Sequence, residues 1–407
     1  MECTSLYLDY QSTTPCDPAV LEAMMPYLTQ NFGNPHARTH CHGWISEQAV
    51  EKAREQIART LNADTREIIF TSGATESNNL ALKGAAFYAQ EQAPSKNHLI
   101  TCQTEHKCVL ESCRFLQSKG FQVTYLPVQK DGLIDLQDLE KAITPQTILV
   151  SIMGVNNEIG VIQPLQEIGA LCQEKSILFH SDCAQAYGRI PLDVKKMNLA
   201  LASITGHKIY GPKGVGALYV RRRPRVRLQP LFSGGGQERG LRSGTLPTFL
   251  CVGMGQAAQI ASELRESEQA RLGQISRDFY ADLQHALPKI YLNGSQTQRI
   301  ADNLNISFAG VEGESLIMGL KEISLSSGSA CTSESLETSY VLKALGVPEE
   351  LSHTSLRISL GRYTTAQQAQ EACQRIIQAV RRLREMSPLW DLLEQGVDLK
   401  TVQWVAH

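Results

Sequence analysis

The chain has 407 residues, of which 42% are hydrophobic and 20% are charged, as is ordinary for a globular protein. Its length suggests two or three domains, and its formal net charge of −2 argues against a general nucleic-acid or membrane-surface binder. No run approaches the roughly 18 apolar residues that span a bilayer. The N-terminal residues show neither a signal peptide nor a transit segment.

The 11 cysteines are odd in number and include no C-x-x-C pair, which favours free thiols in a reducing compartment over a disulfide framework. His40-Cys41-His42 contains metal-ligating residue types, but no second ligand pair stands at zinc spacing. We therefore predict no metal site, and we expect most cysteines to be small buried hydrophobes.

Apolar runs bounded by turn residues alternate with helical patterns through the first two-thirds of the chain. These predicted strands are Ile68–Phe70, Leu99–Cys102, Gln122–Leu126, Ile148–Met153, Ile177–Phe179, Leu201–Thr205 and Val215–Val220. Segments between them, such as Cys108–Lys119 and Pro164–Lys175, have helical length and spacing. The pattern predicts an α/β domain with a mostly parallel seven-stranded sheet covered on both faces. Ligands of such sheets lie beyond the carboxyl ends of the strands.

After about residue 262 the pattern changes to that of a smaller α+β domain. The charged segment Ser262–His285 has a helical pattern, and short strands are expected at Asn303–Phe308 and Ile323–Ser326. Helices follow, and the final stretch, Pro388–His407, holds two of the three tryptophans.

Unusual polar residues follow several strands, where ligands are expected. Thr71–Glu76 comes directly after a strand, and the helix that it opens could hold a phosphate at its N–H groups; a plain helix N-cap is the alternative. Asp182 could keep a pyridine nitrogen protonated or cap a helix. Lys208, in Thr205–Lys208, could form a Schiff base with an aldehyde cofactor, although a lysine near glycines is commonly just exposed.

Two further strand ends supply a ring and an amide. His106 could stack on a flat cofactor and move protons near neutral pH. Asn156 and Asn157 carry amides suited to a carboxylate or a phenolic oxygen. A phosphate cradle, a ring, an amide, a carboxylate and a lysine in this order are together much more specific than any one of them. Their conjunction predicts one cofactor site.

A second set of candidate residues lies in the smaller domain. Ser326–Ser333 surrounds Cys331 with small polar residues that suit a swinging loop better than core packing, and a following helix could lower the pKa of its thiol. Arg357 could clamp a substrate carboxylate with two hydrogen bonds. The alternatives are an incidental cysteine and an ordinary surface salt bridge.

These residues indicate a family. The chain resembles the group I cysteine desulfurases over essentially its whole length. The closest motif matches are Phe70–Asn79, Gly206–Gly214 and Ser326–Ser333, whereas Thr104–Cys108 and Phe121–Lys130 lean toward the mitochondrial and α-proteobacterial branch. The resemblance implies the type I fold of pyridoxal-phosphate (PLP) transferases. It also implies three regions: residues 1–15 joining the small domain, a large PLP-binding domain at 16–262, and a small domain at 263–407 with a catalytic loop near 324–336.

The resemblance further implies a set of cofactor contacts. Lys208 would be the Schiff-base lysine, and His106 would stack on the cofactor ring and take part in catalysis. The other contacts would be Ala74, Thr75, Thr205 and His207 at the phosphate, Asp182 at the pyridine nitrogen, Gln185 at the phenolic oxygen, Asn157 beside the cofactor, and Thr245 reaching the phosphate from the other subunit of a homodimer.

The same resemblance implies the substrate chemistry. Asn157 and Arg357 would bind the carboxylate of L-cysteine, and Cys331 would attack its sulfur, leaving alanine and an enzyme persulfide. Thr205, Cys183, Glu334 and Thr338 depart from the usual residues of the family. Glu334 places a negative charge near Cys331, so these departures bear on the rate rather than on the reaction.

Partners are also implied by the resemblance. The C-terminal tail Pro388–His407 resembles the segment that docks an iron–sulfur scaffold protein, although a helix packed on the body is the alternative. A frataxin-type activator, a small accessory subunit, sulfur carriers, tRNA thiolation and transient ligation of a cluster iron by Cys331 are further expectations. The compartment would be the bacterial cytoplasm or, in a eukaryote, the mitochondrial matrix or a related organelle. No membrane contact is expected.

Other classes of protein fit less well. A selenocysteine lyase or a group II desulfurase would share the PLP site but not the long Ser/Gly loop, and an aminotransferase would not need Cys331. A non-catalytic assembly platform would not need Lys208 and Asp182.

The basic segment Arg221–Arg227 raises the possibility of RNA contact, but a solvated loop is the favoured interpretation. Replacing three of its arginines with glutamine is therefore expected to leave direct tRNA binding, measured by filter retention, unchanged. A clear salt-sensitive loss of binding would contradict this interpretation.

Overall fold

The computed structural model describes residues 5–327 and 338–395. Cys331 and the last twelve residues of the chain lie outside these ranges. The strands are β1 Leu6–Tyr7, β2 Ile68–Thr71, β3 His98–Cys102, β4 Gln122–Leu126, β5 Thr147–Ser151, β6 Leu178–Asp182, β7 Leu201–Thr205, β8 Gly216–Val220, β9 Ile290–Leu292, β10 Asn303–Phe308, β11 Ile323–Ser324, β12 Ser326–Ser327 and β13 Ser355–Ser359.

The helices cover the rest of the regular structure. They are α1 Pro18–Met24, α2 Pro26–Thr29, α3 Cys41–Leu61, α4 Ala74–Gln92, α5 Lys107–Ser118, α6 Leu136–Ala142, α7 Leu165–Glu174, α8 Thr248–Ala286, α9 Gly313–Gly319, α10 Tyr340–Ala344, α11 Glu349–His353, α12 Ala366–Glu385 and α13 Pro388–Glu394. Short 3₁₀ turns at Thr65–Glu67, Gly206–Lys208 and Glu238–Gly240 complete the set.

The chain divides into two compact units. The larger comprises Thr13–Asn157 and Val161–Ser267, and the smaller comprises the described parts of Met1–Ser12, Glu158–Gly160 and Glu268–His407. The domain ranges drawn from the sequence, with the roles attached to them, stay a prediction.

The larger unit is built on a seven-stranded sheet in the order β2-β8-β7-β6-β5-β3-β4. Strands β7, β6, β5, β3 and β4 run parallel, whereas β8 is antiparallel to both of its neighbours. The strands β3, β5, β7 and β8 are buried along their whole length because helices cover the sheet. The predicted α/β fold with a mostly parallel seven-stranded sheet is confirmed.

The smaller unit contains the antiparallel sheet β12-β13-β10-β9 and the parallel pair β1-β11. Its core includes Phe279, Phe308 and Leu316. The amphipathic helix α12 starts with a capping box between Thr365 and Gln368 and packs its apolar side into this core.

Two element predictions in this region were wrong in extent. The expected strand Ile323–Ser326 is two short strands, β11 and β12, in different sheets. The helix expected from Ser262 begins at Thr248. Its first turns carry no charged residue, and they pack so closely that a Cβ on Gly255 would lie 2.6 Å from the Cα of Ala53. These turns therefore lack the charged face by which an amphipathic helix is recognised in a sequence.

The metal-like triplet His40-Cys41-His42 opens a helix. His40 is the N-cap of α3, and its Nδ1 accepts the backbone N–H of Gly43 at 3.2 Å. Among residues 5–327 and 338–395 no three His, Cys, Asp or Glu side chains cluster as metal ligands do. No helix in those ranges is long and apolar enough to cross a bilayer.

A buried ion pair ties α3 to the sheet of the larger unit. The guanidinium of Arg54 donates two hydrogen bonds of 2.8 Å to the carboxylate of Glu238, which also accepts the backbone N–H of Phe70 at 2.6 Å. Both charged side chains are 3% exposed. Burial lowers the pKa of Arg54, but hydrogen bonding and charge from Glu238 outweigh it, and the net shift is upward.

Replacement of Glu238 with alanine is expected to destabilise the larger unit by about 3–5 kcal/mol, because it removes the buried countercharge of Arg54 and leaves only the exposed carboxylate of Glu51 paired with it. The matched control is Glu51→Ala, which removes the exposed carboxylate bound to the same Arg54 and should cost about 1 kcal/mol or less. Thermal unfolding of the two variants tests this difference. Equal melting temperatures would contradict it.

Candidate active site

Most of the predicted cofactor residues meet at one edge of the larger unit's sheet, beyond the carboxyl ends of its parallel strands. His106 precedes α5, Asp182 ends β6, and Thr205 ends β7. Lys208 lies in the 3₁₀ turn that follows β7, and its side chain is partly buried. The topology therefore delivers a ring, a carboxylate, a hydroxyl and an amine to a single edge.

The loop between β2 and α4 has the form of a phosphate cradle. Gly73 is the N-cap of the 19-residue helix α4, has a φ of +153° and brings no capping side chain. Ala74 and Thr75 begin the first turn, whose N–H groups have no partner within the helix. A Cβ on Gly216 would lie 2.6 Å from the Cα of Gly73, so only glycine lets β8 support this loop. The backbone N–H groups and hydroxyls here are donors that suit a phosphate.

Asp182 fits the role of partner to a pyridine nitrogen. Its side chain is buried, Oδ2 accepts the amide of Asn78 at 2.7 Å, and Oδ1 accepts the backbone N–H of Ala184 at 2.9 Å. Residues 183–200 contain no helix, so the alternative of a helix cap is wrong and Oδ1 caps a turn instead. No Lys or Arg pairs with this carboxylate in the part of the chain that the structure describes. A buried carboxylate without a basic side chain suits a protonated pyridine as its countercharge.

Thr205 precedes the 3₁₀ turn Gly206–Lys208, and His207 lies within it. The Nδ1 of His207 lies 3.1 Å from Thr13 Oγ1, and burial together with the charges of Lys208 and Lys213 lowers the pKa of His207 to about 4. A neutral ring at this position can donate or accept a hydrogen bond without adding charge. Thr205 Oγ1 donates to the carbonyl of Val215 at 3.4 Å.

The other predicted cofactor residues occupy varied positions in the larger unit. Gln185 is buried, Asn157 is partly buried and Thr245 is exposed. Asn156 is the other candidate amide at this strand end. Its side-chain amide donates to the backbone carbonyl of Thr104 at 2.9 Å. Their cofactor roles stay predictions.

In the smaller unit, Arg357 is a buried residue of β13 rather than a surface residue. It is 2% exposed, and its Nη2 donates at 2.7 Å to Asp9 Oδ1 and at 2.7 Å to Ser12 Oγ, with Ser326 Oγ as a further, shared acceptor at 3.2 Å. The surface salt bridge considered as an alternative is therefore wrong. Three oxygen acceptors fix the direction of this guanidinium, as a carboxylate clamp requires.

Cys183, the thiol that follows Asp182, is unreactive because it is buried. Cys183 is completely buried, and burial raises the pKa of its thiol to about 12. A thiol with so high a pKa stays protonated and is a poor nucleophile.

Sequence reasoning missed Glu105, although it stands beside His106 in the motif Thr104–Cys108. Its carboxyl is completely buried and accepts the backbone N–H of Met153 at 2.5 Å. Burial first, and then the charge of Asp182, raises the pKa of Glu105 to about 8. The only sequence signal was its position in a matching motif, because its burial depends on the tertiary fold.

Protonation of Glu105 makes stability depend on pH. Its pKa in the folded protein, about 8, lies above its ordinary value of 4.5. The stability gained by binding this proton is full below about pH 4.5 and is lost as the pH rises through about 8. In thermal unfolding, we expect the wild type to lose stability relative to Glu105→Gln as the pH rises across this interval. The exposed Glu111→Gln, on α5, is the control, and parallel curves for wild type and Glu105→Gln would contradict the prediction.

Comparison with known proteins identifies the family of this chain. Residues 6–371 match the aminotransferase class-V family. Cysteine desulfurase IscS of Rickettsia felis is 56% identical over 403 residues, which cover 99% of this chain and 97% of the relative. A solved NifS-like protein superposes with a TM-score of 0.86 at 35% identity, over 93% of this chain and 100% of its own. A structure described as SspA in complex with cysteine gives 0.78 at 42% identity, over 88% and 99%. The chain therefore belongs to the class-V aminotransferase family and, within it, to the PLP-dependent cysteine desulfurases of group I.

Proposed function

We propose that this enzyme converts L-cysteine to L-alanine, holds the released sulfur as a persulfide on Cys331, and supplies that sulfur for iron–sulfur cluster assembly. The observation that carries the cofactor part is the buried carboxylate of Asp182, which has no basic side-chain partner among the described residues and lies at the sheet edge of Lys208 and His106. The identity of the sulfur acceptor rests on the resemblance to IscS proteins.

The proposed roles of the cofactor-binding residues follow from their chemistry. Bound PLP supplies an electron sink at a protonated pyridine nitrogen. Asp182 holds the proton on that nitrogen, the amine of Lys208 binds the aldehyde, and the ring of His106 lies against the cofactor. Gln185 donates to the phenolic oxygen, with Asn157 beside it. The phosphate contacts in this proposal are Ala74, Thr75, Thr205, His207 and, from the second subunit of a homodimer, Thr245.

The proposed substrate contacts begin with the carboxylate of L-cysteine. Arg357 and Asn157 bind it, and Asp9 and Ser12 hold the guanidinium of Arg357 in position. The thiolate of Cys331 attacks the substrate sulfur, so that a sulfur–sulfur bond forms and the substrate carbon–sulfur bond breaks. The carbon skeleton takes up a proton and leaves as alanine, and the sum needs no external oxidant or reductant.

The C-terminal tail Pro388–His407 is proposed to dock the iron–sulfur scaffold protein, and its described part packs within its own unit. Trp390 in α13 stacks against the guanidinium of Arg384 at 3.9 Å, and Lys289 Nζ donates to the carbonyl of Leu393 at 2.5 Å. These contacts hold α13 within its own unit, as the packing alternative expected. The docking proposal keeps the whole tail Pro388–His407, of which residues 396–407 lie outside the described residues.

Further partners complete the proposal. They are a frataxin-type activator, a small accessory subunit and sulfur carrier proteins, with tRNA thiolation as a second destination of the sulfur and transient ligation of a cluster iron by Cys331. A bacterial cytoplasm or a mitochondrial matrix suits such a protein.

The deciding test compares the wild type with Cys331→Ser. The purified wild type should show visible PLP absorbance and should form alanine and sulfide from L-cysteine and a reductant. Cys331→Ser should keep the absorbance and form neither product, because serine cannot hold a persulfide. Cys41→Ser, which replaces an exposed thiol at the start of α3, is the matched control and should stay active.

Two results would contradict the proposal. A protein that stays colourless and inactive when PLP is added would indicate a non-catalytic assembly platform. A coloured Cys331→Ser that still forms both products would leave the cofactor site in place and show that Cys331 is not the sulfur acceptor.

A further inference from the structure

Asn78 connects Asp182 to a cysteine that the proposed function does not use. Asn78 lies on α4 and is completely buried. Its Nδ2 donates to Asp182 Oδ2 at 2.7 Å and to Cys108 Sγ at 3.1 Å. Because a carboxylate can only accept hydrogen bonds, the amide nitrogen rather than the oxygen must face Asp182. The orientation of the amide is thereby determined, and both of its hydrogens have acceptors.

Cys108 in turn contacts His106. The backbone N–H of Cys108 donates to His106 Nδ1 at 3.2 Å, so this nitrogen is an acceptor and carries no proton. The thiol sulfur lies 3.0 Å from the same nitrogen. Two acceptors cannot bond to each other, so the thiol hydrogen must be the donor in this contact. Donation therefore runs from Asn78 to Cys108 and from Cys108 to His106.

We propose that Asn78 and Cys108 are positioning residues that hold the His106 ring in one orientation, neutral and with its proton on Nε2. This inference rests on the proposed function, because it takes His106 and Asp182 as cofactor-binding residues. Asp182 anchors one end of the connection and the ring occupies the other. The thiol acts here as a hydrogen-bond donor and not as a nucleophile.

The two contacts to Nδ1 determine which of the two ring nitrogens of His106 carries the proton. The tautomer with its proton on Nδ1 would point a donor at the backbone N–H and lose both bonds to that nitrogen. A ring flip would remove the same two bonds and place a carbon against the thiol. Each neutral hydrogen bond favours the observed arrangement by roughly fivefold. Nε2 is then the nitrogen that carries the exchangeable proton.

Nitrogen-15 spectra of the holoenzyme with ring-labelled histidine test the inference directly, and loss of a signal pair in His106→Gln assigns the ring. We expect the wild type to show an unprotonated Nδ1 and a protonated Nε2 on His106. Cys108→Ala removes the thiol donor and should move the Nδ1 signal, whereas Cys108→Ser restores a donor and should move it back. Cys113→Ala, which removes another buried thiol from α5, is the matched control and should leave the signal in place.

Steady-state rates of alanine formation provide the second readout. We expect kcat to fall roughly fivefold in Cys108→Ala, the equivalent of one neutral hydrogen bond, with KM nearly unchanged and recovery in Cys108→Ser. A protonated Nδ1 in the wild type would overturn the inference, as would a Cys108→Ala spectrum identical to that of the wild type. If the wild type binds PLP and shows the expected tautomer but forms no alanine, the proposed function fails while the positioning of the ring stands.

Discussion

The buried negative charge of Asp182 is the constraint on which the rest of the larger unit's site depends. A carboxylate removed from water raises the free energy of the fold unless hydrogen bonds and a countercharge compensate it. The chain supplies two hydrogen bonds, from Asn78 and the backbone of Ala184, and no basic side chain within the described residues. In the proposed function, the protonated ring of the cofactor supplies the missing countercharge. The proposed contact therefore links the binding of PLP to the stability of this part of the fold through one electrostatic requirement.

The same charge organises the groups around it. Together with burial, it raises the pKa of Glu105 to about 8, so a second carboxyl stays largely neutral behind the site at ordinary pH. It also orients the amide of Asn78. The amide in turn donates to Cys108, and the thiol of Cys108 contacts His106 Nδ1. One carboxylate therefore influences both the proton equilibrium of Glu105 and the orientation of the Asn78 amide. Hydrogen bonds of this kind fix the orientation of side chains in a binding or catalytic site.

Close backbone packing gives the site its rigid frame. Gly216 allows the loop before α4 to rest on β8, and the pair of Arg54 and Glu238 ties α3 to β2. In the smaller unit, hydrogen bonds to Asp9, Ser12 and Ser326 hold the guanidinium of Arg357 in place. Each of these supports joins residues far apart in the chain, so none of them has a local sequence pattern.

The α/β class, the seven strands of the main sheet and the family could all be predicted from the amino-acid sequence, because continuous apolar runs and the motifs around Gly73, Lys208 and Cys331 are local signals. It did not reveal the start of α8 at Thr248, the division into β11 and β12, the burial of Arg357 or the carboxyl of Glu105. These features depend on contacts that form only in the folded chain. Burial and pKa depend on which distant residues exclude water from a side chain, and no window of neighbouring residues contains that information.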